Sequence, residues 1–346
     1  MNDLGTDIVI TGWSAITCAG TGLEPVIAAL RAGESFLHPV PPEAGVGAGL
    51  LWGRADGFRA GDFIPPLKAR KLDRCSQLTV ATAGLALKDA GIVAREIGPE
   101  RVGIALGCGF GGVGNSAEFL TGYFESGTEG LQPLLFPNTV SNAPASNASI
   151  EWGLKGPNVT LVQRLCSAEA AFMLACRFIA EGRADVMLTG GADDLLPLIS
   201  QGFDALGQLA RHGRNFADGA GILVLESAAH AAARGARPRG RVGALRTVGM
   251  LHPAARDEGV TRLVPPGSTY DLVSLSGSAP DEPLLLARVD ASPRIATETV
   301  IGRSLAMGGT AMAALLALLP PGGHGLHLAA SPEGPYFAIE FTGHHD

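Results

Sequence analysis

The stretch GPNVTLVQRLCSAEAAFMLACRFIAEGRADVMLTGGADD, Gly156 to Asp194, decides how the rest of the chain is read. Asn158 to Val162 reads as a strand, followed by a sharp turn. A helix from about Cys166 to Glu181 and a second strand from Asp185 to Thr189 complete the unit. Ala170, Met173, Leu174, Ala175 and Ile179 give the helix a small, apolar face, as expected of a helix packed inside a protein. A strand that turns sharply into a buried helix puts the turn residue at the helix N-terminus. Unpaired N–H groups and the helix dipole favour a thiolate or an oxyanion there. A catalytic cysteine would belong at this turn, and Cys166 stands beside it.

The chain around this unit is 346 residues long and 46% hydrophobic, enough to bury a large core as one big domain or two fused halves. Its formal charge of -7, with no long basic run, argues against a nucleic-acid partner. Cys18, Cys75, Cys108, Cys166 and Cys176 show no metal-ligand spacing. They suit a reducing compartment in which most are buried small hydrophobes. The N-terminus MNDLGTDIVIT lacks the basic start and apolar stretch of a signal peptide. No apolar run reaches the length of a membrane span. A cytoplasmic α/β protein without metal or cofactor is expected.

In chain order, Asp7 to Ala15 reads as a buried strand and Gly22 to Gly33 as a helix. Residues 34 to 66, rich in Pro and Gly, read as a surface excursion. Lys68 to Ile92 is a helix with Arg70, Asp73 and Arg74 nearer its edge, and Arg101 to Gly107 is a strand. The turn GCGFGGVG that follows matches GxGxxG at Gly107, Gly109 and Gly112, the form of a dinucleotide loop. No strand ending in an acidic residue follows at the required distance, so close packing beside the sheet is the preferred reading. Residues 250 to 268 read as a loop.

Several stretches resemble the beta-ketoacyl synthases, which have the thiolase fold. They are IVITGWSAITCAG, KARKLDRCSQLTVATAGLALKDAGI, GPNVT with its following turn, RFIAEGRADVMLTGGAD and NFADGAGILVLE. The resemblance implies a five-layered αβαβα sandwich of two pseudo-duplicated halves, residues 1–236 and a shortened 237–346. The sequence itself shows no obvious repeat. FPNTVSNAPASNASIEWGLKGPN looks most like the chain-length-factor members, whose matching segment lies at the dimer interface and shapes the acyl pocket. Asn138, Thr139, Val140, Ser141, Asn142 and Ala143 are therefore pocket or interface candidates. A polar loop using Asn and Pro for turn geometry is the alternative.

The resemblance also locates three reactive positions. A decarboxylating ketosynthase needs a Cys nucleophile and two His donors that promote loss of CO2 and stabilise the enolate and thioester oxyanion. Counting forward from Gly156-Pro157 and back from Ala184-Asp185-Val186 both put the nucleophile position at Leu165, with Cys166 one residue late. The first His position falls on Ser276, in TYDLVSLSGSAPDEP. The second falls on Arg303 or, on another matching of the glycines in VIGRSLAMGGTAMAALLALL, on Leu305; the family's Lys becomes Glu298 or Val300. The eight histidines lie elsewhere, mostly in segments that read as solvent-facing loops or chain ends. Arg164 would lower the pKa of a Cys166 thiol and Glu169 would oppose it.

No catalytic residue is therefore expected, with Cys166 as the fallback nucleophile. The implied function is that of a chain-length-factor subunit, paired with a catalytic ketosynthase in type II polyketide, polyene or fatty-acid-like biosynthesis and served through it by an acyl carrier protein. A Cys166-dependent acyltransferase or thioesterase-like enzyme and an acyl-binding homodimeric scaffold are the alternatives.

Overall fold

The computed structural model describes residues 6–46, 49–249, 253–277, 282–289, 292–332 and 334–344. Among the described residues ten strands run across the main sheet, with a two-residue eleventh, Gly20–Thr21, paired to the first: β1 Ile8–Thr17, β2 Val102–Gly107, β3 Asn158–Leu161, β4 Val186–Asp193, β5 Gly219–Ser227, β6 Gly240–Val248, β7 Leu272–Gly277, β8 Arg294–Ala296, β9 His324–Ala330 and β10 Tyr336–Gly343. The helices used below are α1 Glu24–Ala32, α2 Arg74–Asp89, α3 Val113–Ser126, α4 Ala143–Trp152, α5 Ser167–Ala180, α6 Pro197–Ala205, α7 Arg256–Leu263 and α8 Leu305–Leu318.

The strand order is β8-β7-β9-β10-β6-β1-β5-β4-β2-β3. Within β1 to β5 the order across the sheet is third, second, fourth, fifth, first, and β6 to β10 repeat it. The pairings repeat too. β2 runs parallel to β3 and β4, with β4–β5 and β5–β1 antiparallel. β7 runs parallel to β8 and β9, with β9–β10 and β10–β6 antiparallel. The duplication that the sequence hides is thus plain in the topology, because ladders join backbone to backbone and do not require matching side chains. A short antiparallel contact, Val9 opposite Arg241 and Ile10 opposite Gly240, joins the two units.

Three apolar layers separate the elements. α2 and α4 pack on the outer face of the first unit through Leu78, Val80 and Ala148 against Leu106, Ile222 and Val224. α5 and α8 lie between the units, where Phe172, Cys176, Met312 and Leu315 meet Ile8, Leu223, Ile339 and Phe341. Val260 and Leu263 of α7, with Leu285, cover Leu326, Leu328 and Ala338 of the second unit. The result is the five-layered αβαβα sandwich. α8 reaches the sheet because Gly309 and Gly221 have no Cβ: one added at Gly309 would sit 2.1 Å from the Gly221 carbonyl oxygen. Every residue of α8 from Ala306 to Leu316 is buried, as suits a helix covered all round.

Three readings of the sequence change. α7 occupies part of the stretch expected as a loop, since Val260 and Leu263 give it an apolar stripe under the second sheet. Residues 34–66 bury Leu50, Trp52 and Ile64 instead of lying over the surface, and residues 51–53 pair in parallel with 215–217. The Lys68 to Ile92 helix is two, Pro66–Ala69 and α2, separated where the buried Asp73 carboxylate accepts the Ser76 N–H as N-cap.

Gly84, inside α2, gives a stability test of this packing. Alanine at an interior helix position ordinarily stabilises by up to about 1 kcal/mol. Here the added methyl would lie 2.2 Å from Cζ2 of Trp152, whose indole N–H is held 2.8 Å from the Val80 carbonyl oxygen. Gly84→Ala should therefore destabilise, by about 1–3 kcal/mol, in chemical denaturation. A rise in stability would show that α2 and α4 are not pressed together in this way.

Candidate active site

Arg164, Leu165 and Cys166 form one 3-10 turn between β3 and α5. Arg164 has φ 51°, the one non-glycine residue in the left-handed region among the described residues. Such a conformation costs of order 1–3 kcal/mol and persists where the surroundings hold it. Ser167 does the holding: its hydroxyl accepts the Gln163 N–H at 2.7 Å and donates to the Arg164 carbonyl at 2.8 Å. The turn leaves Leu165 half-buried on a cavity wall and sends Cys166 inward, fully buried among Ala170, Ala329 and Phe337. Burial first, and then the charge of Glu169, hold the Cys166 thiol well above the ordinary cysteine range. The sequence reading gave Arg164 the opposing role, but its side chain is exposed and does not offset the burial.

The cavity facing Leu165 is narrow, with about 30 Å³ of free volume, room for one or two waters. Phe110, Leu195, Ile199, Phe203 and Phe216 supply most of its wall, and Arg303, Ser304, Asp193 and Asp194 also reach it. Phe203 meets Phe110 edge-on at 6.0 Å and Phe216 at 5.4 Å. A wider groove of about 620 Å³ shares Phe110, Arg164, Ile199 and Phe203 with the cavity and runs out past Leu198 and Leu206. Both of these leucines are exposed. Inside the cavity, burial and then Asp73 and Asp218 push the Asp194 carboxyl up to about 7. Leu165 and Arg303, assigned to two different reactive positions from sequence, thus share one wall. Arg303 Nε donates to Glu298 at 2.7 Å, so a cation and a carboxylate neutralise one another there. Leu305 opens α8, and its side chain lies outside the described residues.

Ser276 is brought to the same turn from the other unit, because β7 and β9 both pack against Arg164–Cys166. Its hydroxyl donates to Glu169 Oε1 of α5. The same oxygen lies 2.9 Å from His327 Nε2, and His327 Nδ1 lies 2.7 Å from the Ser274 hydroxyl. His327 therefore corrects the reading of the histidines as solvent-facing: it points inward from the middle of β9 and is fully buried. In HGLHLAA the alternation places His327 on the face of Gly325 and Ala329, a period-two signal that could have found it. His38, His324 and His344 are exposed, and His230 bonds Glu226 at 2.7 Å. His252 and His345, and the side chain of His212, lie outside the described residues.

None of Asn138 to Ala143 is among the residues lining the cavity opposite Leu165. Asn138 is buried as a clamp, donating to the Lys71 carbonyl at 2.7 Å and accepting from Asn147 at 3.0 Å. Thr139 bonds the Phe136 carbonyl, Ser141 is half-buried, Val140 and Asn142 are exposed, and Ala143 starts α4. The segment is thus a short turn running into a helix, where a polar loop was the alternative reading. The cavity wall comes instead from Phe110 and from α6, whose apolar residues no motif had marked.

No helix among the described residues is long and apolar enough to cross a membrane. A 3-oxoacyl-(acyl-carrier-protein) synthase 2 of Vibrio cholerae serotype O1 is 32% identical over 248 residues, 66% of this chain and 60% of that protein. The chain thus matches well under two thirds of that relative's length. Among solved structures, one described as the ishigamide ketosynthase/chain length factor superposes with a TM-score of 0.82 at 22% identity, covering 98% of this chain and 99% of that one. A ketosynthase complex described as a type II PKS acyl-carrier protein with its ketosynthase bound to the hexaketide gives 0.84 at 18%, with the same coverage. At these identities the superpositions speak for the fold alone. Residues 5–231 match the family described as "Beta-ketoacyl synthase, N-terminal domain", so the chain belongs to the beta-ketoacyl synthase family.

Proposed function

We propose that this chain is a non-catalytic member of the family. It would pair with an active ketosynthase as a chain-length-factor subunit in type II polyketide, polyene or fatty-acid-like biosynthesis. One observation carries the reading: the cavity at the mouth of the β3–α5 turn presents the methyl groups of Leu165 and no thiolate. Covalent acyl transfer needs a nucleophile that can reach the substrate. Leu165 has none to offer, and Cys166 is fully buried with its thiol held protonated. Arg303, tied to Glu298, and Ser276, tied to Glu169, are engaged within the protein.

The surface supports a partner. β3 is an edge strand, bonded along one side to β2. An open edge can take up a further strand. Val162 beyond its end, and Leu120, Tyr123, Phe124, Leu134, Phe136 and Val140 in the neighbouring sequence, are exposed. Exposed apolar residues concentrated in this part of the chain would suit a docking surface. Thr139, Ser141, Asn142 and Ala143 belong to the same stretch and fit the edge of such an interface. The groove past Leu198 and Leu206 would then be closed by the partner, and its Phe110–Ile199–Phe203 wall would limit how much acyl chain fits. The acyl carrier protein would serve the catalytic partner.

Co-expressed with an intact ketosynthase, the protein should run as a one-to-one heterodimer in native mass spectrometry. A homodimer that ignores the ketosynthase would overturn the partner reading and favour the acyl-binding scaffold. Alone, it should neither decarboxylate a malonyl thioester nor condense, and Cys166 should resist iodoacetamide at neutral pH until the protein is unfolded. Prompt labelling of Cys166 in the native state would move the assignment to a cysteine-dependent acyltransferase. In the heterodimer, Phe110→Ala and Phe203→Ala should lengthen the product and Ile199→Trp should shorten it. An unchanged length distribution across all three would remove the steric role.

A further inference from the structure

The glycine-rich turn after β2 lends Phe110 to the cavity wall, and its backbone converges on one buried cluster. Cys75 in the first turn of α2, Cys108 at the end of β2 and Asp193 at the end of β4 bring two sulfurs and a carboxylate oxygen within 4.8 Å of one another. All three residues are buried. The two Sγ atoms are 3.8 Å apart. Two thiolates on one tetrahedral zinc, each at about 2.3 Å, are separated by about 3.8 Å. The sulfur pair therefore already has the spacing of one edge of such a site, while a disulfide would require it to close to about 2.0 Å.

The turn supplies a second, independent indication. The Phe110 N–H donates to the Asp193 carboxylate at 2.9 Å, and the Gly109 N–H turns toward the same group. The Gly111 and Gly112 N–H groups turn toward Cys108 Sγ and the Asp73 carboxylate respectively. Four successive amides thus face groups that carry negative charge when ionised, the arrangement of an anion-binding nest. Glycine is required for this approach: a Cβ at Gly111 would lie 2.3 Å from Cys108 Sγ and 3.4 Å from Cys75 Sγ. The side-chain charges acting on both sulfurs are those of Asp193 and Asp73. Asp73 is buried as well, and its Oδ2 has no hydrogen-bond partner. The neighbouring cation, Arg74, is turned to Asp218 at 2.6 Å and to the Ala55 carbonyl at 2.9 Å.

We propose that Cys75, Cys108 and Asp193 bind one soft divalent cation of the zinc class, with a water as fourth donor. Thiolate ligands select for such an ion over magnesium or calcium. Both thiols and any protonated carboxyl release their protons on binding. The Gly109–Gly112 amides act as the supporting shell that orients the ligands and offsets their excess negative charge. Asp193 and Phe110 also line the cavity opposite Leu165, which gives the ion a way in from solvent. The site is separate from the Leu165 turn, so the assignment does not depend on the chain being a partner subunit.

The test is metal loading of the full chain under reductant. Purified protein dialysed against zinc should retain one equivalent per chain by elemental analysis. Cobalt substitution should give the near-ultraviolet thiolate charge-transfer band and the visible bands of tetrahedral coordination. Cys75→Ser and Cys108→Ser should each weaken binding more than about a hundred-fold, beyond what loss of an outer-shell contact produces. Zinc should raise Tm in the unmodified protein and leave it unchanged in the variants. A cobalt spectrum without a thiolate band in the unmodified protein would overturn the site, whether or not the variants fold. Retention of zinc at full affinity by a folded Cys108→Ser protein would do the same.

Discussion

The two halves of the sandwich are tied together by a buried polar contact that neither half could satisfy alone. Glu169 rises from α5, while Ser276 and His327 come from β7 and β9. A buried carboxylate left unpaired would cost several kcal/mol. This one is paired across the seam, with Oε2 still unmatched. Replacing the contact with apolar groups of the same shape need not weaken the fold, since buried polar networks contribute to specificity as much as to stability. What it does fix is register, because only one placement of α5 between the sheets brings Glu169 to Ser276 and His327. Gly308 on α8 leaves the room, a Cβ there falling 2.3 Å from Glu169 Oε1. Ser274, His327 and Glu169 have the connectivity of a hydrolytic triad, yet all three are fully buried and none lines the cavity opposite Leu165.

That register sets the fate of the turn above it. Because α5 is held at Glu169, the residue preceding the helix cannot rotate outward, and Cys166 stays under the turn while Leu165 faces the cavity. Moving the thiol one position along would turn it by about 100° around the helix axis. Ser167, bonded on both sides of Arg164, opposes the same rotation. The inward placement of Cys166 and the cavity-facing placement of Leu165 are thus held by contacts on both sides of the seam.

Much of this was legible in the chain itself. The strand–turn–helix of residues 156–194 could be read because its helix is small and apolar and its glycines mark the turns. The structure places α5 one residue inside the expected start and extends β4 to Asp193. Hidden were features that depend on contacts distant in sequence. The repeated order of β1–β5 and β6–β10 lies in backbone pairing and leaves no sequence repeat. His327 looked like one of several histidines near the chain end, and its partners Ser274 and Glu169 lie 53 and 158 positions away. Cys75 and Cys108 lack metal spacing because their meeting is made by α2 crossing the end of β2, not by a local loop.

The positions that matter chemically share one physical origin. β2, β3 and β4 run parallel, and the chain leaves all three at the same end of the sheet. Parallel strands release their following segments together at their carboxyl ends, which is where open α/β sheets gather their ligand sites. Cys108 and the glycine turn leave β2 there, the Arg164–Cys166 turn leaves β3, and Asp193 and Asp194 end β4. In the second unit Ser276 lies near the carboxyl end of β7 and faces the same turn. Substituting a leucine for a nucleophile or a serine for a histidine leaves this convergence untouched, because it is set by strand direction. The shape of such a pocket is therefore independent of which side chains stand at the turn, and the same strand ends also bring Cys75, Cys108 and Asp193 together.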